Sequence, residues 1–196
     1  MTKHPDYWNR IYQDESRPGW DMDGATPLVA AMLGLALPLG LSPGGELVVP
    51  GCGYGHDAAE LAARGFRVTG LDFAPLAIQG AIERYGDRVA WSQADWFTTP
   101  LGPWDAIFDH TCFVAMDPYC RPVYVEACAD HLRPGGFWMA ALFHDVNDRT
   151  GPPHALPMAE LRTLAEARFE VLHLANTTAS HPRRQGREYL LVARKR

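Results

Sequence analysis

The chain has 196 residues, is 47% hydrophobic and 21% charged, and carries a formal net charge of −5. That length suits one α/β domain with a full core, and the acidic balance argues against nucleic-acid binding through overall charge. Residues Met1 to Arg10 hold no apolar signal core, and no stretch approaches a membrane span, so a cytoplasmic protein with no membrane partner is expected.

Residues 5–15 read as a short helix with Tyr7, Trp8, Ile11 and Tyr12 on one side, ended by Arg17-Pro18-Gly19. Thr26-Pro27 has the form of an N-cap followed by proline at the first helical position, opening a helix to about Leu37. Ser42-Pro43-Gly44-Gly45 makes a turn, and strands then alternate with helices. Strands are expected at about 46–49, 67–71, 88–92, 104–108 and 137–143, with helices at about 57–63, 75–85, 121–132 and 158–167. Two final strands, at about 169–176 and 187–194, have no helix between them and are expected to form an antiparallel hairpin. The alternation predicts an α/β sandwich: a mostly parallel seven-stranded sheet with helices on both faces.

The segment Val49-Pro50-Gly51-Cys52-Gly53-Tyr54-Gly55-His56-Asp57 joins the first strand to its helix. Glycines here let the backbone approach a ligand closely. The spacing is G-x-G-x-G rather than the dinucleotide pattern, and an acid at the helix start opposes a phosphate. The second strand ends in Asp72, where a carboxylate is placed to accept hydrogen bonds from ribose hydroxyls. Asp72 could alternatively cap the helix that begins near Pro75. A ribose-bearing ligand without phosphate is therefore expected.

Cys52, Cys112, Cys120 and Cys128 form no C-x-x-C pair, and no histidine spacing resembles a zinc site. Buried free thiols and no metal are expected. Arg183, Arg184, Arg187, Arg194, Lys195 and Arg196 cluster near the end of the chain. They read as a solvated hairpin and tail, with a gate for an anionic substrate as the alternative.

These motifs together resemble the class I S-adenosylmethionine-dependent methyltransferases. Val49-Pro50-Gly51-Cys52-Gly53, His56-Asp57, Gly70-Leu71-Asp72 and Ile107-Phe108-Asp109 through Arg121 look like the thiopurine methyltransferase superfamily. Gly19-Trp20-Asp21, Ala25-Thr26-Pro27-Leu28 and Gly151-Pro152-Pro153 look most like its halide/thiol methyltransferase branch. The resemblance spans nearly the whole chain. It implies a Rossmann-like fold, S-adenosylmethionine as cofactor, and a small soft nucleophile (thiol, hydrosulfide, thiocyanate or halide) as acceptor. It also implies an N-terminal helical lid over residues 1–40. The length and the lack of an internal boundary predict one domain over 1–196, and a monomer acting on a diffusible acceptor is expected.

Carried onto this sequence, the resemblance places Trp8, Tyr12 and Trp20 in the lid and Gly51 and Gly53 against the methionine part. Asp72 takes the ribose, Asp95 and Trp96 flank the adenine, and Asp109-His110 face the methionine end. Phe113, Arg121 and His144 are candidate acceptor contacts. Tyr12 stands where the branch usually has a second tryptophan, and His110 where it usually has tyrosine. Aromatic faces suit a sulfonium cation. Two roles for His110 stay open: orienting the acceptor or accepting a thiol proton, or serving as a hydrogen-bonded support. Arg121 could attract an anionic nucleophile or form an ion pair. Alternative functions are methylation of a thiopurine-like or selenium/tellurium acceptor, nucleic-acid N-methylation, and cofactor binding without catalysis. After the fourth strand the chain reads Asp109-His110-Thr111-Cys112, not the Asn/Asp-Pro-Pro-aromatic tetrapeptide of exocyclic-amine methyltransferases.

Overall fold

The computed structural model describes residues 4–14, 18–99, 102–147 and 150–196. Helices α1 (Pro5–Asp14) and α2 (Leu28–Ala36) precede β1 (Glu46–Pro50), α3 (His56–Ala63), β2 (Arg67–Asp72), α4 (Pro75–Tyr85) and β3 (Ala90–Gln93). Then follow β4 (Trp104–His110), a one-turn helix α5 (Cys112–Ala115), α6 (Arg121–His131), β5 (Leu132–Phe143), α7 (Met158–Glu166), β6 (Phe169–Asn176) and β7 (Glu188–Lys195). The expected elements are all present, and α5 was not foreseen. One helical turn carries too little periodicity to register in sequence.

The sheet order is β3-β2-β1-β4-β5-β7-β6. β1 to β5 run parallel, and β7 is antiparallel to both β5 and β6. The expected hairpin therefore exists, with β7 inserted between its partner and the body of the sheet. β5 begins five residues earlier than expected. Leu132 pairs with Trp104, and the register then shifts so that Phe137 pairs with Ala106. The Arg133-Pro134-Gly135-Gly136 segment is accommodated in that irregularity.

Helices on both faces bury both sides of the central strands. Side-chain alternation along β4 sends Ile107 into one core with Tyr124 and Trp138, while Ala106 and Phe108 enter the other with Met139 and Val192. α2 buries Leu28, Val29, Met32, Leu33 and Ala36, a helical stripe, in the second core. The Thr26 hydroxyl accepts from the Leu28 amide at 3.4 Å, so the expected cap lies where the sequence placed it. Among the described residues, no helix is long and apolar enough to cross a membrane.

Strand order reverses between β1 and β4. The segments leaving the C-terminal ends of β1, β2, β3 and β4 meet there, at the topological switch point where open α/β sheets bind ligands. α1 has no buried residue of its own, and its Asn9 accepts from the Leu76 amide at the start of α4 at 3.1 Å.

Candidate active site

A cavity of about 740 Å³ opens at this switch point. A smaller one of about 80 Å³ lies beside it, under the glycine loop. The loop is built from left-handed backbone: φ is +58° at Gly51 and +54° at Gly53. A Cβ on Gly51 would stand 2.8 Å from Cys112 Sγ, and one on Gly53 would stand 3.2 Å from the Tyr12 hydroxyl. Only glycine takes this conformation without strain, and at Gly51 a Cβ would also collide with the Cys112 side chain.

Asp72 is 7% exposed and lines the main cavity. Its Oδ2 accepts from Gly53 N at 3.0 Å and its Oδ1 from Ala74 N at 2.9 Å. The carboxylate thus joins the glycine loop to the residue that precedes α4, at the edge of the main cavity. Burial pushes its pKa up to about 6, against the pull of the Ala74, Gly53 and Phe73 amides. A carboxylate offers about four lone-pair positions, so capacity remains for a ligand's hydroxyls.

Trp8, Tyr12 and Trp20 form one aromatic group on the cavity wall. Trp20 meets Trp8 edge-on at 5.4 Å and Tyr12 at 5.5 Å between centroids. Burial, and then the neighbouring Asp72, raise the Tyr12 phenol well above its usual pKa, so it stays neutral. Asp95 also lines the cavity, where its Oδ1 accepts from Phe97 N at 2.8 Å. Trp96 offers an edge to the cavity but is 4% exposed and stacked on Trp104, so most of the ring is core.

His110 lines both cavities. Its Nδ1 lies 2.7 Å from Asp57 Oδ2, and its Nε2 lies 2.7 Å from Arg184 Nη1. Burial opposes a charge on the ring, Asp57 and Glu188 favour one, Arg184 opposes it, and the balance raises the pKa. The contact with Arg184 nevertheless requires a lone pair on Nε2. This arrangement therefore belongs to the neutral ring, with Nδ1–H donating to Asp57. Asp57 Oδ1 also accepts from Thr26 N at 2.7 Å. With both nitrogens engaged, His110 supports the wall and has no free lone pair for an acceptor's proton.

Five expected site residues lie outside the main cavity. Asp109 is fully buried and lines neither cavity: Oδ2 accepts from the Tyr124 hydroxyl at 2.9 Å and Oδ1 from Phe113 N at 3.3 Å. Neighbours on a strand face opposite sides, so Asp109 and His110 cannot both face the ligand. Arg121, expected to orient the acceptor, turns away to α7. Its Nη1 donates to Glu160 at 2.8 Å and its Nη2 to the Ala155 carbonyl at 3.1 Å. Gly53 lines only the small cavity. Phe113 is core, and His144 stacks on Tyr189 at 4.7 Å, so neither borders the main cavity.

Phe73, Phe97, Met116 and Phe143 form apolar wall without having been singled out in the sequence, and Arg183, Arg184 and Arg187 border the cavity, where the expectation was a solvated tail with an anionic-substrate gate as the alternative. Phe73 and Phe143 stand at or just past strand C-termini, a signal that was available. The arginines arrive from the β6–β7 connection, and only the inserted position of β7 brings them here. The four cysteines are free; Cys128 is buried as expected, whereas Cys52, Cys112 and Cys120 are half-buried. Burial, with Asp109 next, holds the Cys112 thiol well above its usual pKa. Among the described residues, no cluster of His, Cys, Asp or Glu could hold a metal ion.

Comparison with known proteins identifies the family and the fold. The family profile described as thiopurine S-methyltransferase (TPMT) matches residues 3–194. Thiocyanate methyltransferase 1 of Brassica oleracea is 30% identical over 191 residues, covering 93% of this chain and 82% of that protein. A thiopurine S-methyltransferase of Vibrio atlanticus is 25% identical, covering 92% and 90%. Among solved structures, 1,6-didemethyltoxoflavin-N1-methyltransferase of Burkholderia thailandensis, bound to S-adenosylhomocysteine, superposes with a TM-score of 0.75 at 22% identity, covering 97% of this chain and 86% of that one. N-methyltransferase NodS of Bradyrhizobium japonicum, also with S-adenosylhomocysteine, gives 0.76 at 17% identity, covering 98% and 99%. The chain belongs to the thiopurine S-methyltransferase family and is an S-adenosylmethionine-dependent methyltransferase.

Proposed function

We propose that the main cavity holds S-adenosylmethionine and that a small soft nucleophile, a thiol, hydrosulfide, thiocyanate or halide, takes the methyl group there. The residues fit the cofactor. Bare backbone at Gly51 suits close approach of the amino-acid part, with Gly53 behind it on the small cavity. Asp72 keeps lone pairs for ribose hydroxyls, and Asp95 and Trp96 border the place for adenine. Trp8, Tyr12 and Trp20 present rings of the kind that attract a sulfonium. The α3 start is filled by the Asp57 carboxylate, which opposes a phosphate-bearing ligand.

When bound, the cofactor supplies an activated methyl group on a sulfonium, with a neutral thioether as leaving group. The chain's part is to hold both reactants in line, exclude water and leave the cation reactive. Alignment alone contributes on the order of 7–11 kcal/mol. An anionic acceptor needs no enzyme base, and a thiol reacts as its thiolate. That agrees with His110 having both nitrogens occupied. The raised pKa of Cys112 keeps it a neutral thiol, in keeping with direct transfer.

The observation that carries this reading is the meeting of Asp72 with the Trp8–Tyr12–Trp20 group across one cavity. The thiocyanate and thiol methyltransferase names of relatives such as those of Brassica oleracea and Arabidopsis thaliana support the acceptor class. A larger, thiopurine-like acceptor is the second reading. It is favoured by the apolar extension of the cavity past Met116 to Phe143, Val146, Pro152 and Pro153. The negative net charge supports a diffusible small molecule over nucleic acid, and we read the chain as a cytoplasmic monomer whose N-terminal segment acts as a lid.

The test is S-adenosylhomocysteine release with hydrosulfide, methanethiol, larger thiols, iodide, thiocyanate and a thiopurine. Turnover with the small acceptors is expected. Turnover with the thiopurine alone selects the second reading, and turnover only with RNA or DNA contradicts both.

A further inference from the structure

We infer that Arg183 and Arg184 are positioning residues that latch the Trp20 segment over the cavity, so that cofactor retention depends on a pair of arginines in the β6–β7 connection. The inference rests on the reading above that Trp20 covers the cofactor.

The two guanidiniums engage three consecutive carbonyls. Arg183 Nη2 donates to the Gly19 carbonyl at 3.3 Å and Nη1 to the Asp21 carbonyl at 3.2 Å. Arg184 Nη2 donates to the Trp20 carbonyl between them at 2.9 Å. Besides these, the Thr26 amide donates to Asp57 Oδ1 at 2.7 Å, and Asp21 and Thr26 are buried. Asp21 Oδ1 lies 3.0 Å from His56 Nε2, and α1 contributes no buried residue of its own. Trp20 in turn is the ring on which both Trp8 and Tyr12 rest. Holding its backbone therefore sets the whole aromatic group.

The anchor itself is rigid. Arg184 is 4% exposed, and its Nη1 bonds His110 Nε2 at 2.7 Å and Glu188 Oε1 at 3.4 Å. Glu188 is fully buried at the start of β7, and His110 ends β4. The latch thus runs from the sheet, through one guanidinium, to the cover. Five fixed donors on a planar group permit this double engagement, which a lysine ammonium cannot reproduce in the same geometry. Arg183 makes the outer bonds from an exposed position.

Three variants test it: Arg184→Gln, Arg184→Lys and Arg183→Gln, each checked for folding by circular dichroism. Amide hydrogen exchange is followed at residues 18–26 in the free protein, S-adenosylhomocysteine affinity by calorimetry, and KM for each substrate together with kcat. In Arg184→Gln, exchange at 18–26 is expected to accelerate while the sheet stays protected. S-adenosylhomocysteine affinity should fall by about tenfold or more, the scale of one lost charged hydrogen bond. KM for S-adenosylmethionine should rise more than kcat falls, and Arg184→Lys should recover only part of the loss. Should Arg184→Gln fail to fold, the exposed Arg183→Gln carries the same expectation for exchange and affinity. Unchanged exchange and affinity in folded variants would overturn the latch, as would an effect confined to the acceptor's KM. If the wild-type protein itself binds no S-adenosylhomocysteine, the cofactor reading fails and the latch falls with it.

Discussion

The Gly53 amide donates to the Asp72 carboxylate across 3.0 Å, so the turn after β1 is fastened to the end of β2 by a group that also lines the main cavity. Asp72 shapes the cavity, and the proposed function also gives it the ribose hydroxyls. Its burial sets a measurable cost.

Replacing Asp72 with Asn separates these two effects. The folded protein holds the Asp72 proton more tightly than the unfolded chain, with a pKa raised to about 6. Its contribution to stability is therefore full below the unfolded value of 3.8 and is lost as pH rises through about 6. A shift of this size corresponds to about 2–3 kcal/mol, opposed in Asn by one lost acceptor. Ligand-free Asp72→Asn should unfold at a temperature no lower than wild type at pH ~8 and compare less favourably at pH ~4. S-adenosylhomocysteine affinity should drop about 10–100-fold. Calorimetry and thermal melts at both pH values check this, and wild-type affinity in the folded variant would contradict it.

Trp20→Ala distinguishes a cation-binding ring from a packing ring. A ring facing the sulfonium contributes about 0.5–2 kcal/mol toward a cation and little toward a neutral thioether. Affinity for S-adenosylmethionine should therefore fall several-fold more than affinity for S-adenosylhomocysteine, and turnover should fall with it. Equal losses for the two ligands would return Trp20 to packing alone.

His110→Gln bears on the proton. The His110 ring has no free lone pair, so a thiol acceptor must ionise without it. With one thiol, kcat/KM should rise with pH along that thiol's own ionisation in both wild type and variant. A limb present in wild type and abolished in His110→Gln would make the histidine the base.

Arg121→Met should act on stability. The side chain is 3% exposed and ties α6 to Glu160 and to the carbonyls before α7. Leaving those carbonyls unpaired costs about 1–3 kcal/mol, a drop of several degrees in Tm for a chain of this size. KM for the acceptor should stay put. A changed acceptor KM with an unchanged Tm would restore Arg121 to the site.

Much of this was readable from the chain because local rules and tertiary structure agree. The G-x-G-x-G turn, Asp72 at the end of a strand and the aromatic stripe on α1 each have one local cause, and each lies where that cause puts it. What was not readable depends on placement between distant elements. Asp109 and His110 are adjacent in sequence but separated by strand alternation once β4 has a core on either side. Arg121 heads the expected helix, yet the packing of α6 against α7 decides its direction. The arginines of the β6–β7 connection look like a solvated tail until β7 enters between β5 and β6 and brings Arg183 and Arg184 against the N-terminal segment. Partners of that kind, 164 residues apart for Arg184 and Trp20, leave no periodic trace in a single sequence.

The most direct measurement is calorimetric titration of the folded wild-type protein with S-adenosylmethionine and with S-adenosylhomocysteine, alongside Asp72→Ala. Saturable one-site binding of both ligands, sharply weakened in the variant, is the expected result. No heat with either ligand in intact wild-type protein, or equal affinity in Asp72→Ala, would contradict the assignment of this cavity.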